Sequence, residues 1–246
     1  MTSQISLGEG WDRHAPEWIA WSRAGLDTYD KFHRDLFLPL VPAAGRLTAD
    51  LGCGEGRVSR DLRAMGHRVL AVDLSLTMSQ AAAAHPTRPV PAVVADATRL
   101  PLPAGVADCA VAFMSLHDID DMPAAIAESA RILAGGGHLV LAIVHPINSA
   151  GQFVGVKGDP DRPFVISGSY LSAVRYVDTF TRDDGLTMTF HGEHRPLQAY
   201  TEALTEAGFV IERLLELTDP DPERAWQRVP LFLDIVAVRQ PVLSAP

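Results

Sequence analysis

Two acids and a set of alternating glycines carry the clearest chemical signal in this chain. Ala49-Asp50-Leu51-Gly52-Cys53-Gly54-Glu55-Gly56 leads an apolar stretch into a glycine-rich turn, and Val69-Leu70-Ala71-Val72-Asp73 ends a second apolar stretch in a carboxylate. A strand, a glycine turn, a helix and a second strand ending in an acid describe a pocket for a nucleotide ribose. Glycines let backbone approach a ligand closely, and Asp73 can accept hydrogen bonds from two ribose hydroxyls. The spacing narrows the choice of nucleotide. A dinucleotide fingerprint closes a helix N-terminus on a pyrophosphate behind its third glycine. Here Arg57 occupies that place and Asp50 precedes the first glycine. A carboxylate aimed into the turn repels a pyrophosphate and attracts a cation, which argues against a nicotinamide oxidoreductase.

With acid, glycines and second acid in this order, the chain resembles the class I S-adenosylmethionine-dependent methyltransferases. The resemblance implies S-adenosyl-L-methionine as cofactor. Asp50 would orient the methionyl ammonium, directly or through backbone and water, and Gly52, Cys53 and Gly54 would lie against the cofactor. Asp73 would take the ribose hydroxyls and Leu74 would cover an adenine face. Asp96, in Val94-Ala95-Asp96-Ala97, would accept from the adenine amino group with the Ala97 amide alongside, and Met114 and Ser115 would border the methionine portion. Each has a structural alternative: Asp50 bracing the loop by accepting backbone N–H bonds, Asp96 capping the turn from Ala97 onward, Cys53 filling space as a small buried residue.

Methyl transfer from a sulfonium is an in-line displacement, for which alignment in a dry pocket supplies most of the rate and a base is optional. An oxygen acceptor must lose a proton around the time of transfer, and histidine is suited to take it near neutral pH. His117 follows the fourth apolar strand, His145 caps the fifth, and His191 and His194 bracket Gly192-Glu193 before Arg195. These four are the candidate proton acceptors, with fixing of loop carbonyls as their structural alternative. His33, His67, His85 and His138 read as surface or scaffold residues. Trp21, Tyr29, His145, Tyr170 and Arg195 are candidate substrate contacts, Arg195 having Glu193 or Asp178 as a structural partner. His117-Asp118-Ile119-Asp120-Asp121 could suggest a magnesium site, but Asp120 or Asp121 as the cap of a helix beginning near Pro123 explains it better, and no metal is expected.

The elements that must position these groups alternate between short apolar strands (46–51, 68–72, 91–95, 107–113 and 138–144) and helices near 56–65, 75–84 and 122–133, the rhythm of a parallel sheet covered on both faces. Ala134-Gly135-Gly136-Gly137 reads as the stop of the last helix. Residues 146–195 break the rhythm with two β-rich pieces, 173–181 and 186–191, joined by the hairpin signal Arg182-Asp183-Asp184-Gly185. A helix from Pro196 to Gly208 precedes strands 209–217 and 230–239, which should be antiparallel neighbours. The expected fold is therefore α/β: a Rossmann-like, seven-stranded, mostly parallel sheet with an antiparallel last strand, an N-terminal helical lid and a β-rich insertion after strand five. We expect a single domain over 1–246, comprising the lid (1–45), a cofactor-binding half (46–145), a substrate-binding insertion (146–195) and a closing helix and strand pair (196–246). The lid reading rests on Trp11, Trp18, Trp21, Leu26, Tyr29, Phe32 and Leu36 at mostly helical spacings, which a helix packed on the sheet edge would also produce.

The chain has 246 residues, 47% of them hydrophobic, enough for a full core, and a formal net charge of −9. That charge, with no cluster of Lys and Arg in the sequence, argues against nucleic acid as a partner. The N-terminal residues lack the basic start and apolar run of a secretory signal or a membrane span, so a cytoplasmic protein with no membrane partner is expected. Cys53 and Cys109 are the two cysteines and read as unpaired and buried. The expected activity is methyl transfer to a small-molecule acceptor, an oxygen first, with a carbon or nitrogen as the alternative. The rival from another class is a non-catalytic S-adenosylmethionine-binding regulatory protein. The oligomeric expectation is monomer or homodimer.

Overall fold

The computed structural model describes residues 5–25 and 27–241; Leu26, residues 1–4 and residues 242–246 lie outside the described residues. The N-terminal region is broken into short pieces. Helices α1 (Leu7–Arg13) and α2 (Ala15–Arg23) are followed by a single π turn, Tyr29–His33, and by α3 (Arg34–Phe37). Ser6 and Glu9 form a capping box on α1, while Gly25, at φ +65°, turns the chain out of α2.

The central sheet contains β1 (Thr48–Leu51), β2 (Val69–Asp73), β3 (Ala92–Val94), β4 (Ala107–Phe113) and β5 (Leu133–Val144), with α4 (Arg57–Ala64), α5 (Leu76–Ala83) and α6 (Met122–Ile132) between them. After β5 come α7 (Pro146–Ala150), the small pair β6 (Gln152–Phe153) and β7 (Phe164–Val165), and a hairpin of β8 (Val174–Thr181) and β9 (Thr187–His194). Helix α8 (Leu197–Glu206), β10 (Phe209–Leu217) and β11 (Phe232–Arg239) close the fold. The seven strands run in the order β10-β11-β5-β4-β1-β2-β3. Strands β1 to β5 are parallel, and β11 is antiparallel to both neighbours, as expected from the sequence.

Strand alternation divides the core between two faces. Ala110, Ala112, Leu139, Leu141 and Ile235 pack with Ile126 of α6 and Leu204 of α8. Val111, Phe113, Val140 and Ala142 pack on the other side with Leu62 of α4, Tyr29 and Phe37. Strand order reverses between β1 and β4, and open α/β sheets bind ligands beyond the carboxyl ends of their strands beside such a reversal.

The glycine run differs from its sequence reading. Helix α6 ends on Leu133 in extended backbone (φ −76°, ψ 142°), and Ala134–Gly137 lies inside β5. Pairing of β4 with β5 jumps from Ala107↔Leu133 to Cys109↔His138, so the run bulges out opposite Asp108. A side chain at Gly137 would press to 3.0 Å from the Asp108 carbonyl oxygen, which accounts for glycine there.

Helices α1 and α2 lie over the carboxyl edge of the sheet, between the β8–β9 hairpin and α5. The Trp11 indole donates to the His191 carbonyl at 2.8 Å, and Trp11, Trp18 and Trp21 set their ring edges around Phe190 at centroid distances of 6.0 to 6.3 Å. The three tryptophans thus pack the N-terminal helices onto the insertion hairpin. Among the described residues no helix is long and apolar enough to cross a membrane.

Candidate functional site

The candidate site is built first from the turn after β1. Asp50, 1% exposed, points to the α4 face, where the Ser59 hydroxyl donates to it. Burial pushes its carboxyl up to about 6, against the Ser59 hydrogen bond and with Asp73 adding to the rise. The N–H groups of Gly52 and Cys53 both bond the Val72 carbonyl, drawing the turn against β2. Gly52 (φ +70°) and Gly54 (φ +57°) adopt left-handed backbone, and a Cβ at Gly52 would meet the Ser115 Cβ at 2.4 Å. The turns after β1 and β4 therefore touch, and Ser115 Oγ ties them by donating to the Leu51 carbonyl at 2.6 Å.

Asp73 fixes the turn from the β2 side. Gly54 N donates to its Oδ2 at 2.8 Å and Ser75 N to its Oδ1 at 2.9 Å, leaving each oxygen further lone-pair capacity for ligand hydroxyls. Burial raises its carboxyl, with those two amides opposing. Leu74 is 54% exposed beside Gly8 of α1. Asp96 Oδ1 accepts from both the amide and the hydroxyl of Thr98 at 2.8 Å, and Ala97 is buried beside it. Cys53 is buried, and burial pushes its thiol well up, so it serves as a small apolar filler. Met114 follows β4 at φ +55°, unusual for a side chain of that size. Such strain persists only where the surroundings hold it, and it collects at ligand sites.

The four candidate histidines separate into two kinds. His194 donates from Nε2 to the Tyr170 carbonyl at 2.9 Å and accepts at Nδ1 from Ser149 Oγ at 2.8 Å. His145 accepts the Ile147 amide at Nδ1, 3.0 Å, and donates from Nε2 to Glu216 at 3.0 Å. In both rings both nitrogens are engaged in hydrogen bonds that fix loops. Among the described residues, His117 and His191 each keep one buried ring nitrogen without a partner, Nδ1 and Nε2 respectively. Three residues apart on one strand, His191 and His194 face opposite sides of the hairpin. Strand β9 continues through His194. His191 lies under α1 and α2, its ring 5.1 Å from that of His14.

His117 sits in a short turn, Leu116–Asp118, directly beyond Met114 and Ser115, and is 5% exposed. Burial, aided by the nearby Arg195 charge, lowers it to about 3, so the ring is neutral at ordinary pH. Its Nε2 lies 3.4 Å from Asp118, whose carboxyl burial pushes well up. Arg195 shapes this turn rather than standing free for substrate. It donates to the carbonyls of Leu116 (3.4 Å), Ile119 (2.8 Å) and Asp120 (3.1 Å) and pairs with Glu193. Asp121 caps α6 by accepting the Ala124 amide, and Asp120 accepts the Leu7 amide and pairs with Arg175, tying the lid to the same turn.

Two further substrate candidates also carry structural bonds. The Tyr170 hydroxyl accepts the Leu197 amide at 3.0 Å, and the Tyr29 hydroxyl donates to Asp61 at 2.8 Å from within the second core face. Trp21 remains in the lid, edge-on to Phe190. Sequence reasoning did not single out Asp118 as a site residue, nor Tyr176 or Tyr200, whose hydroxyls burial raises and the Asp118 charge raises further. No local pattern marks a tyrosine in a hairpin strand or on a helix face as lining a site.

A family model described as a methyltransferase domain matches residues 49–141. Demethylmenaquinone methyltransferase from Mycolicibacterium gilvum is 38% identical over 104 residues, 42% of this chain and 43% of that protein. Its namesake from Mycolicibacterium paratuberculosis is 37% identical over 97 residues, 39% and 41% of the two chains. The match thus spans about two-fifths of the length of these curated relatives. The crystal structure of an S-adenosylmethionine dependent methyltransferase from Mesorhizobium loti is similar over 83% of this chain and 96% of that one, with 29% identity and a TM-score of 0.67.

Proposed function

The chain belongs to the class I S-adenosylmethionine-dependent methyltransferase family, and we propose that it is an enzyme moving a methyl group from S-adenosyl-L-methionine to an oxygen of a small-molecule acceptor. The donor set suits that cofactor: left-handed backbone at Gly52 and Gly54 shapes the turn, and the buried Asp50 and partly buried Asp73 suit an ammonium and a pair of hydroxyls. Asp50 is assigned to the ammonium and Asp73 to the ribose. Leu74, Asp96 and Ala97 are assigned to the adenine, and Met114 and Ser115 to the methionine portion. When bound, the cofactor supplies an electrophilic methyl group on a sulfonium.

The chain's own part is to align the acceptor, exclude water and receive a proton. Residues 1–45 act as lid and 146–195 as the acceptor wall, both tied to the His117 turn through Asp120 and Arg195. His117 carries the reading: a neutral, buried ring nitrogen without a partner, directly beyond the strained Met114. Its Nδ1 accepts the hydrogen of an acceptor hydroxyl and takes the proton as the carbon–oxygen bond forms. A depressed basicity suffices, because an alkylated hydroxyl is far more acidic than an imidazolium. The relatives' name, demethylmenaquinone methyltransferase, supports a small-molecule acceptor. The test is transfer of labelled methyl to a panel of phenols, quinols and amines: label on a hydroxyl supports the reading, label on ring carbon or amine alone removes the oxygen assignment, and S-adenosylhomocysteine binding without transfer favours a binding protein.

A further inference from the structure

Behind the glycine turn, on the α4 side, lies a second cavity of about 300 Å³ whose lining is out of character for a chain of net charge −9. Five guanidiniums line it: Arg23 and Arg34 from the N-terminal region, Arg57 and Arg60 from α4, and Arg88 beyond α5. Against them the lining contains three acids, Asp30, Glu55 and Asp61. Asp30 is itself raised, chiefly by burial and then by Asp27. His85, also in the lining, is lowered by burial and by the arginine charges around it.

Arg57 pairs with Asp27, and Arg23 and Arg60 share Glu55, yet donor capacity remains. Each guanidinium has five N–H groups, while Arg88 reaches Asp61 at only 3.5 Å and Arg34 turns to its sequence neighbour Asp35. Arg60, 6% exposed, pairs with Glu55 through Nη2 and with the Glu55 carbonyl through Nη1, but its buried Nε has no partner among the described residues. A buried, unpaired N–H costs free energy that a ligand acceptor would recover. Forked arginine donors converging from three helices and the loop beyond α5 match a tetrahedral oxyanion better than a single carboxylate.

We propose that this cavity binds a phosphate group, free or as a phosphate monoester, and so links the N-terminal lid to the back of the cofactor turn. The assignment stands apart from the methyltransferase reading, since it uses none of Asp50, Asp73 or His117.

The test is calorimetric titration of the full chain with inorganic phosphate and with glycerol 3-phosphate at constant ionic strength in chloride, with and without saturating S-adenosylhomocysteine. Saturable binding that persists with S-adenosylhomocysteine present is expected. Tighter binding of glycerol 3-phosphate would identify a monoester site, and equal or weaker binding a site for the free ion. The double variant Arg34→Gln/Arg88→Gln, at the exposed rim, should keep its melting temperature in chloride and lose affinity by at least about tenfold. Absence of saturable heat, competition with S-adenosylhomocysteine, or an unchanged affinity in the double variant would each overturn the assignment.

Discussion

The indole of Trp18 lies directly against Gly54: a Cβ added to that glycine would come within 2.8 Å of the indole Nε1. The turn we assign to the cofactor is therefore also where α2 seats. The Arg57 guanidinium backs the same indole at 4.9 Å from its centroid. We expect Gly54→Ala to weaken S-adenosylhomocysteine binding and to destabilise the fold by about 1–3 kcal/mol, the cost of strained backbone plus a displaced lid. Calorimetry and thermal melting read both; a variant with wild-type affinity and stability would mean that lid and turn do not share this contact.

Asp50 gives the cofactor site a pH dependence. Its folded value of about 6 exceeds the unfolded carboxylate value. Its contribution to stability is therefore present at low pH and is lost as pH rises from about 4 through 6, at a cost of about 3 kcal/mol when ionised. An ammonium at this carboxylate favours the ionised form, so ligand binding should release a proton below pH 6 and weaken by about tenfold for each further pH unit. Titration of S-adenosylhomocysteine between pH 5 and 8 checks this, and Asp50→Asn should flatten the profile. A flat wild-type profile would remove Asp50 from the ammonium site.

His117 and His194 should respond differently to removal. The free Nδ1 of His117 makes His117→Asn a variant of reduced turnover with cofactor affinity kept. His194→Ala leaves Ser149 and the Tyr170 carbonyl without their shared partner, and a stability loss of about 1–3 kcal/mol is expected. If His194→Ala kept its melting temperature and lost only turnover, the two assignments would be reversed.

A buried pair outside the candidate site joins the N-terminal region to the sheet. His33 and Asp234, 1% and 0% exposed, meet at 2.8 Å between Phe113 and Phe232, and Asp234 Oδ2 has no partner among the described residues. Removing one member strands the other, so Asp234→Ala should cost about 3–5 kcal/mol. The double variant His33→Phe/Asp234→Ala should recover part of that. Denaturant unfolding measures both, and equal loss in single and double variants would argue against coupling.

Sequence reading worked where local pattern and tertiary demand agree. The boundaries of β4 and β10 follow from uninterrupted strand runs between turn residues, and the glycine turn with Asp73 is a local signal for a local contact. It failed where one residue type has two uses. The Ala134–Gly137 run is equally consistent with a helix stop and a strand bulge, and the choice is made by Asp108 on the neighbouring strand. Histidines at the correct end of the sheet were legible as a group, yet the free ones are set by partners such as Ser149 and Glu216 on other segments. Asp234 was illegible because its partner His33 lies 201 residues away in the chain.

The most direct test of the account is calorimetric binding of S-adenosylhomocysteine to the wild-type chain and to Asp73→Ala, with NAD as control. Asp73 holds the Gly54 amide and has lone pairs left for a ribose. The account expects saturable wild-type binding, none for NAD, and a loss of about 1.5–3 kcal/mol in the variant. Equal affinity in wild type and Asp73→Ala, or binding of NAD in place of S-adenosylhomocysteine, would contradict it.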